Sequence, residues 1–132
     1  GTISTVGDAL LSVASLDNAE DSGIVASDPL VRRACEVIDA NLCEPELSPS
    51  LIASALNVPL RTLQAAAARA ATTLGATITA RRLKLAARRL RRNPQETITA
   101  IAFDCGFTDS AYFARRFQQQ FGLSPSQYRS RH

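Results

Sequence analysis

The chain has 132 residues, 45% of them hydrophobic, and a net charge of +3. That length holds one domain, or one compact domain with an appendage, around a modest core. No apolar run approaches the roughly 18 residues of a membrane span and no signal-peptide pattern is visible, so no membrane partner is expected and the cytoplasm is the expected location.

The pattern is helical throughout, with no sustained strand-like alternation. Asp8 to Asn18 carries Leu10, Leu11, Val13, Ala14 and Leu16 at helical spacing, and Asp17 to Gly23 reads as a linker. Ser27-Asp28-Pro29 then caps and starts a helix, with proline at its first position and Leu30, Val31, Ala34, Val37, Ile38 and Leu42 on its apolar side. Ser48-Pro49 repeats that start signal for a short helix to about Leu56. Asn57-Val58-Pro59 turns the chain into a helix from about Leu60 to Ala71. Gly75 precedes a long helix, roughly Ala76 to Arg92, which Asn93-Pro94 stops.

Apolar residues at 98, 101, 102 and 105 give the next short helix. After the turn at Gly106 comes a helix with apolar residues at 113, 117 and 121 and polar or small ones at 110, 111, 114, 115 and 118. Ser124-Pro125 opens a last short helix through Tyr128. The fold class expected is all-α, with about seven helices.

Two short helices around a glycine turn, the second with one buried face and one arginine-bearing face, make a helix-turn-helix. An internal repeat places a second copy upstream. Ile52-Ala53 lies 49 residues before Ile101-Ala102, and Asn57-Val58 lies 49 before Gly106-Phe107. With one residue of slack, Leu63 matches Phe113, Gln64 matches Ala114 and Ala67 matches Phe117. Two such subdomains joined by a long linker helix are therefore expected within residues 28–132: a first unit at about 28–74, the linker at about 76–92 and a second unit at about 95–132. Residues 1–27 read as an acidic N-terminal extension or as the end of a preceding effector or dimerisation domain. A duplicated reader suits two successive contacts on a polymer.

The charge distribution points the same way. Residues 1–47 carry nine acidic and two basic side chains, whereas 48–132 carry three acidic and thirteen basic ones. A basic body behind an acidic lead-in suits a polyanion and argues against indiscriminate coating. Seven of the basic residues, Arg81, Arg82, Lys84, Arg88, Arg89, Arg91 and Arg92, lie all round the linker helix, divided between phosphate contact and plain solvation.

Residues Ile98, Ile101-Ala102, Gly106-Phe107, Tyr112-Phe113, Arg115, Phe117, Phe121-Gly122, Ser124-Pro125 and Tyr128-Arg129 resemble the C-terminal DNA-binding domain of the AraC/XylS family of bacterial transcription regulators. Arg81, Leu83, Ala87 and Leu90 match its linker helix, and the resemblance covers about residues 29–132. It implies a sequence-specific regulator, an activator in expectation, whose second helix in each unit enters the major groove. It also implies double-stranded promoter DNA as partner, RNA polymerase as a further one, and an effector bound by a region absent from this chain. Carried over residue by residue, base contacts fall to Arg61, Thr62 and Gln64 in the first unit and to Ser110, Ala111, Tyr112, Ala114 and Arg115 in the second. Phosphate contacts fall to Ser50, Arg69, Thr97 and Arg116.

The first unit departs from the pattern. Pro59 stands where a Ser or Thr cap is usual, Ala65 where Arg is common, Ala67 where the core has Phe, and Thr72 where Gly is usual. The run Ala65 to Ala68 favours a helix but supplies neither base-reading donors nor core volume. Residues 108–118 are therefore expected to carry more of the specificity than 59–69.

Methionine is absent and the chain opens on Gly1, so it reads as a fragment. Cys35, Cys43 and Cys105 lack metal-ligand spacing, and His132 is the sole histidine. Reduced, buried thiols are expected, with no metal, no cofactor and no catalytic residue. Two readings compete with DNA recognition: a helical protein-interaction module with weakened DNA binding, and a DNA-repair methyl-transfer fusion. The latter needs an activated thiol near a base or a clustered zinc site.

Overall fold

The computed structural model describes residues 28–131, so the candidate helix at 8–18 lies outside the described residues. Among the described residues there are seven helices and no strand: α1 (Pro29–Ala40), α2 (Pro49–Leu56), α3 (Leu60–Arg69), α4 (Leu74–Arg92), α5 (Ile98–Asp104), α6 (Ser110–Phe121) and α7 (Pro125–Arg131).

Most of these helices begin at a side chain that accepts a bond from an orphan amide of the first turn. Asp28 accepts from Leu30 N at 2.8 Å, Ser48 from Leu51 N at 3.2 Å, Thr73 from Ala76 N at 3.0 Å and Thr97 from Ala100 N at 3.0 Å. Asp109 accepts from Ala111 N at 2.9 Å and Tyr112 N at 3.1 Å. At α7 the cap is reciprocal: Gln127 N donates to Ser124 Oγ at 3.2 Å while Ser124 N donates to Gln127 Oε1 at 3.0 Å. Helix α3 is the exception, because Pro59 at its cap position makes no side-chain cap bond.

The chain divides into two compact units. Among the described residues one comprises 28–41 and 47–80, and the other comprises 42–46 and 81–131. Helix α4 is thus shared along its length. The first unit packs α1, α2, α3 and the start of α4 around Val31, Ala34, Ile38, Ile52, Ala53, Leu63, Ala66, Ala67, Leu74 and Ile78, all buried. It contains no aromatic residue from 28 to 80.

The second unit is built differently. Leu83, Ala86, Ala87 and Leu90 of α4 meet Ile101, Ala102, Cys105, Phe107, Phe113 and Phe117, with Phe121 and Tyr128 packed alongside. Its rings form a chain of tilted and edge-on contacts, from Phe107 to Phe113 at 5.0 Å through Phe117 to Tyr128 at 5.4 Å. Arg89 ties the unit's helices together, its Nη2 lying 2.9 Å from Glu96 Oε2 and 3.3 Å from Asp104 Oδ2. Arg129 donates to the carbonyls of Leu90 and Asn93, both at 3.3 Å, and so covers the C-terminal end of α4.

Three boundaries differ from the sequence reading. Helix α3 stops at Arg69, not Ala71, because Ala71 takes φ +60° and closes a Schellman turn: Thr72 N donates to Ala67 O and Ala71 N to Ala68 O. Helix α4 starts at Leu74 rather than after Gly75, since Thr73 caps it and Gly75 lies within its first turn. Helix α7 runs on to Arg131. The cysteines also differ: Cys105 is buried, but Cys35 is half-buried and Cys43 is exposed in the α1–α2 connection.

Candidate nucleic-acid interface

Each unit contains two helices joined by the same turn. In the first, Val58 N donates to Ala53 O and Asn57 N to Ser54 O, with Asn57 at φ +57°. In the second, Phe107 N donates to Ala102 O and Gly106 N to Phe103 O, with Gly106 at φ +101°. Both are Schellman motifs. Asparagine is one of the few side chains that tolerates this left-handed conformation. Gly106 is required for a second reason, because a Cβ there would lie 2.7 Å from Arg82 Nε and 2.8 Å from Leu42 O. Arg82 holds that place by donating from Nε to Leu42 O at 2.9 Å and from Nη2 to Glu44 O at 2.6 Å.

Beyond each turn, buried side chains fix the rotation of the second helix. Leu63, Ala66 and Ala67 turn α3 inward, and Phe113 and Phe117 turn α6 inward. Helical periodicity then places Arg61, Ala65 and Ala68 in one outward row on α3, and Ala111, Arg115 and Gln118 in the matching row on α6; all six are exposed. Thr62 and Tyr112 flank these rows and are exposed. Gln64, exposed, and Ala114, half-buried, hold equivalent flanking positions, and Ser110 is exposed at the first residue of α6. Arg115 lies with its guanidinium carbon 5.8 Å from the centre of the Tyr112 ring, which itself sits 6.5 Å from Phe107. This stacking restrains a long cationic side chain on the outward face.

The residues assigned to phosphate fare unevenly. The Thr97 hydroxyl is committed to its cap bond. Its counterpart 49 residues upstream is Ser48, which caps α2, whereas Ser50 sits one position inside that helix and is exposed. The sequence marks Ser48 as the start of this helix, and the repeat spacing makes it, not Ser50, the equivalent of Thr97. Arg69 lies 3.3 Å from Asp28 Oδ2. The Leu30 amide above all, followed by that of Val31 and by Arg69, holds the Asp28 carboxyl below its ordinary value against its partial desolvation. Arg116 donates from Nη1 to Gln119 Oε1 at 3.1 Å, while its Nε is buried and finds no partner among the described residues. It is half-sheltered, not a free surface cation.

The basic residues of α4 occupy both flanks and the outer side of the helix, leaving only its core face. Arg82 and Arg89 turn toward the carbonyls and carboxylates named above. By helical period Arg81, Arg88 and Arg92 project from the side away from Leu83, Ala86, Ala87 and Leu90, and Lys84 and Arg91 from one flank; all but half-buried Arg81 are exposed. Among the described residues no group of three His, Cys, Asp or Glu could hold a metal, and no helix is long and apolar enough to cross a membrane. Cys105 is fully buried, and burial pushes its thiol up to about 11, the reverse of an activated nucleophile.

Two copies of one helix-turn-helix plan, each with an exposed and partly cationic second helix, define a double helix-turn-helix DNA-binding domain. A family model described as a helix-turn-helix domain matches residues 52–131. The transcriptional activator NphR of a Rhodococcus species is 32% identical over 121 residues, covering 92% of this chain and 33% of its own length. The transcriptional activator RhrA of Rhizobium meliloti is 32% identical over 93 residues, 70% of this chain and 30% of its own length. Among solved structures, the C-terminal domain of AraT, a response regulator from Geobacillus stearothermophilus, gives a TM-score of 0.73 at 28% identity over 80% of this chain and 87% of its own. A DNA-binding transcriptional dual regulator from Escherichia coli shares the fold, with a TM-score of 0.74 at 24% identity over 80% of this chain and all of its own.

The chain belongs to the AraC/XylS family of transcription regulators and matches its C-terminal DNA-binding domain. It spans a third or less of the length of these curated relatives.

Proposed function

We propose that this domain binds double-stranded promoter DNA sequence-specifically and, within its parent protein, activates transcription. The observation that carries the reading is the pair of outward rows on α3 and α6, each backed by a buried core and carrying an arginine, Arg61 or Arg115. Arginine donates two parallel bonds to O6 and N7 of guanine, and each such pair is worth about 1–3 kcal/mol of discrimination. Thr62, Gln64, Ser110, Ala111, Tyr112 and Ala114 complete the base-facing surface, small side chains there meeting thymine methyl groups. Ser50 and Arg116 serve the backbone, as do the helix starts at Ser48 and Thr97. Arg69 joins them only by leaving Asp28.

Activation is supported by relatives named as transcriptional activators. RNA polymerase is the partner that activation implies. An effector, where one acts, is bound outside this chain, which accounts for a third or less of those relatives' length. The cytoplasm is the compartment this role requires.

Selection of bound fragments from a randomised duplex pool, followed by gel shifts at several salt concentrations, tests the proposal. One selected sequence with salt-sensitive affinity is the expected result. Arg115→Ala should cost about 1–3 kcal/mol on that sequence and spare random DNA. Equal loss on both would reduce Arg115 to a phosphate contact, and failure to select any sequence would favour the protein-interaction reading.

A further inference from the structure

We infer that Gln118 is a further specificity-determining residue of the second reading helix, setting its amide on the base pair next to the one met by Arg115. The inference rests on the DNA-reading role proposed above.

Rotation comes first. With Phe113 and Phe117 at 1% and 0% exposure, α6 is held so that positions 111, 115 and 118 fall on its outward side, about one helical turn apart. Gln118 therefore shares the outward side with Arg115, about 60° round the helix from it, on the side opposite Tyr112.

Availability comes second. Gln118 opens a run of three glutamines, and its neighbours are engaged. Gln119 accepts from Arg116 at 3.1 Å, and Gln120 has an interaction of its own. Among the described residues the Gln118 side chain makes no hydrogen bond, its backbone carbonyl alone accepting from Gly122 N at 2.8 Å, so its amide is free to present a donor and an acceptor outward.

The repeat supplies a third observation. The position matching Gln118 in the first unit is Ala68, exposed in the same row of α3. One copy of the plan thus folds with a methyl group at this place, so the fold does not require an amide there.

A glutamine amide matches N6 and N7 of adenine in the major groove with two bonds. Gln118 lies about 4.5 Å beyond Arg115 along the helix axis. That is little more than one base-pair step of about 3.4 Å. A guanine for Arg115 beside an A·T pair for Gln118 is the signature this row would impose. The first unit's row, Arg61-Ala65-Ala68, has one long polar side chain and would impose a single specified pair.

The test is selection from a randomised duplex pool with the full chain and with Gln118→Ala. Gel shifts then follow on the selected fragment with each base pair substituted at the step beside the guanine, and on random DNA. The parent chain should select A·T at that step. Gln118→Ala, with unchanged helical circular dichroism, should lose about tenfold preference there, keep the guanine and keep its affinity for random DNA. Arg115→Ala should show the converse, losing the guanine and keeping the A·T pair. An unaltered base preference in Gln118→Ala overturns the inference while leaving the DNA-reading role intact. A uniform loss on selected and random DNA overturns it too, by making Gln118 a backbone contact. Selection of no sequence at all by the parent chain overturns both readings.

Discussion

Gly106→Ala isolates the turn on which the second reader depends. The residue sits at φ +101°, where a side chain is strained by about 1–2 kcal/mol. The added methyl would also lie 2.7 Å from Arg82 Nε and 2.8 Å from Leu42 O. Arg82 can swing away, but it then gives up its bonds to Leu42 O and Glu44 O. Bonds made by a charged group contribute about 1.5–3 kcal/mol each, and half-exposed Arg82 recovers part of that from water. Leu42 O belongs to the backbone and must shift with its segment. The expected loss is about 3–5 kcal/mol, a large fraction of the 5–15 kcal/mol typical of a domain.

Urea unfolding followed by tyrosine fluorescence reads the second unit selectively, because Tyr112 and Tyr128 both belong to it. Arg82→Ala provides the cross-check. On that background the new methyl meets only Leu42 O, so the double variant should lose less than the two single losses combined. A loss under about 1 kcal/mol in Gly106→Ala would refute both the clash and the strain assigned to this turn, and full additivity in the double variant would refute the clash with Arg82.

Three further outcomes are expected. Ala71→Gly should raise stability by about 0.5–1 kcal/mol, because relief of a φ of +60° exceeds the entropy glycine adds to the unfolded chain; an unchanged or lower urea midpoint contradicts it. The exchange Arg61→Ala with Ala65→Arg moves the first unit's arginine one turn along its row, to the position matching Arg115. The guanine selected in that half-site should then move by about two base pairs, since four residues rise about 6 Å, and a stationary guanine in the selected pool contradicts it. Cys105, raised by burial from 9.0 to about 11, keeps its proton in the native state where the unfolded chain has lost it. Its contribution is complete below pH 9 and is lost as pH rises toward 11. The parent chain should therefore lose about 2–3 kcal/mol more than Cys105→Ala between pH 8 and 11, and parallel pH slopes in urea unfolding refute it.

What the sequence made legible was local. Asp28, Ser48, Thr97 and Ser124 announce helix starts because a short polar side chain before an apolar-periodic run has one good use, the orphan amides. The spacing of Phe113 and Phe117 fixed the outward face of α6 for the same kind of reason. The end of α3 was not legible, since Ala65 to Ala68 and Ala70-Ala71 carry no breaking residue. It is the packing of Leu74 and Ile78 into the unit's core that goes with an alanine held in the left-handed conformation. Long charged side chains were the least legible. Arg69 pairs with a carboxylate 41 residues away and Arg82 with carbonyls 40 and 38 residues away, and no local pattern announces such partners.

These partners also change the weight of the two readers. In the first unit the alanine run serves both faces: Ala66 and Ala67 fill the core at the cost of volume, while Ala65 and Ala68 leave the outward row without donors. Arg69 is drawn off to Asp28, and the helix start at Pro59 lacks a side-chain cap. Arg61 thus stands as the row's single long polar side chain. In the second unit the aromatic chain from Phe107 to Tyr128 secures α6, Tyr112 steadies Arg115, and Gln118 extends the same row. Rigid support and row length favour the same helix. A binding site cut to the second half-site should accordingly keep more of the sequence preference than one cut to the first, and gel shifts on the two truncated duplexes compare them directly. Greater preference retained by the first half-site would invert the division of labour argued from these rows.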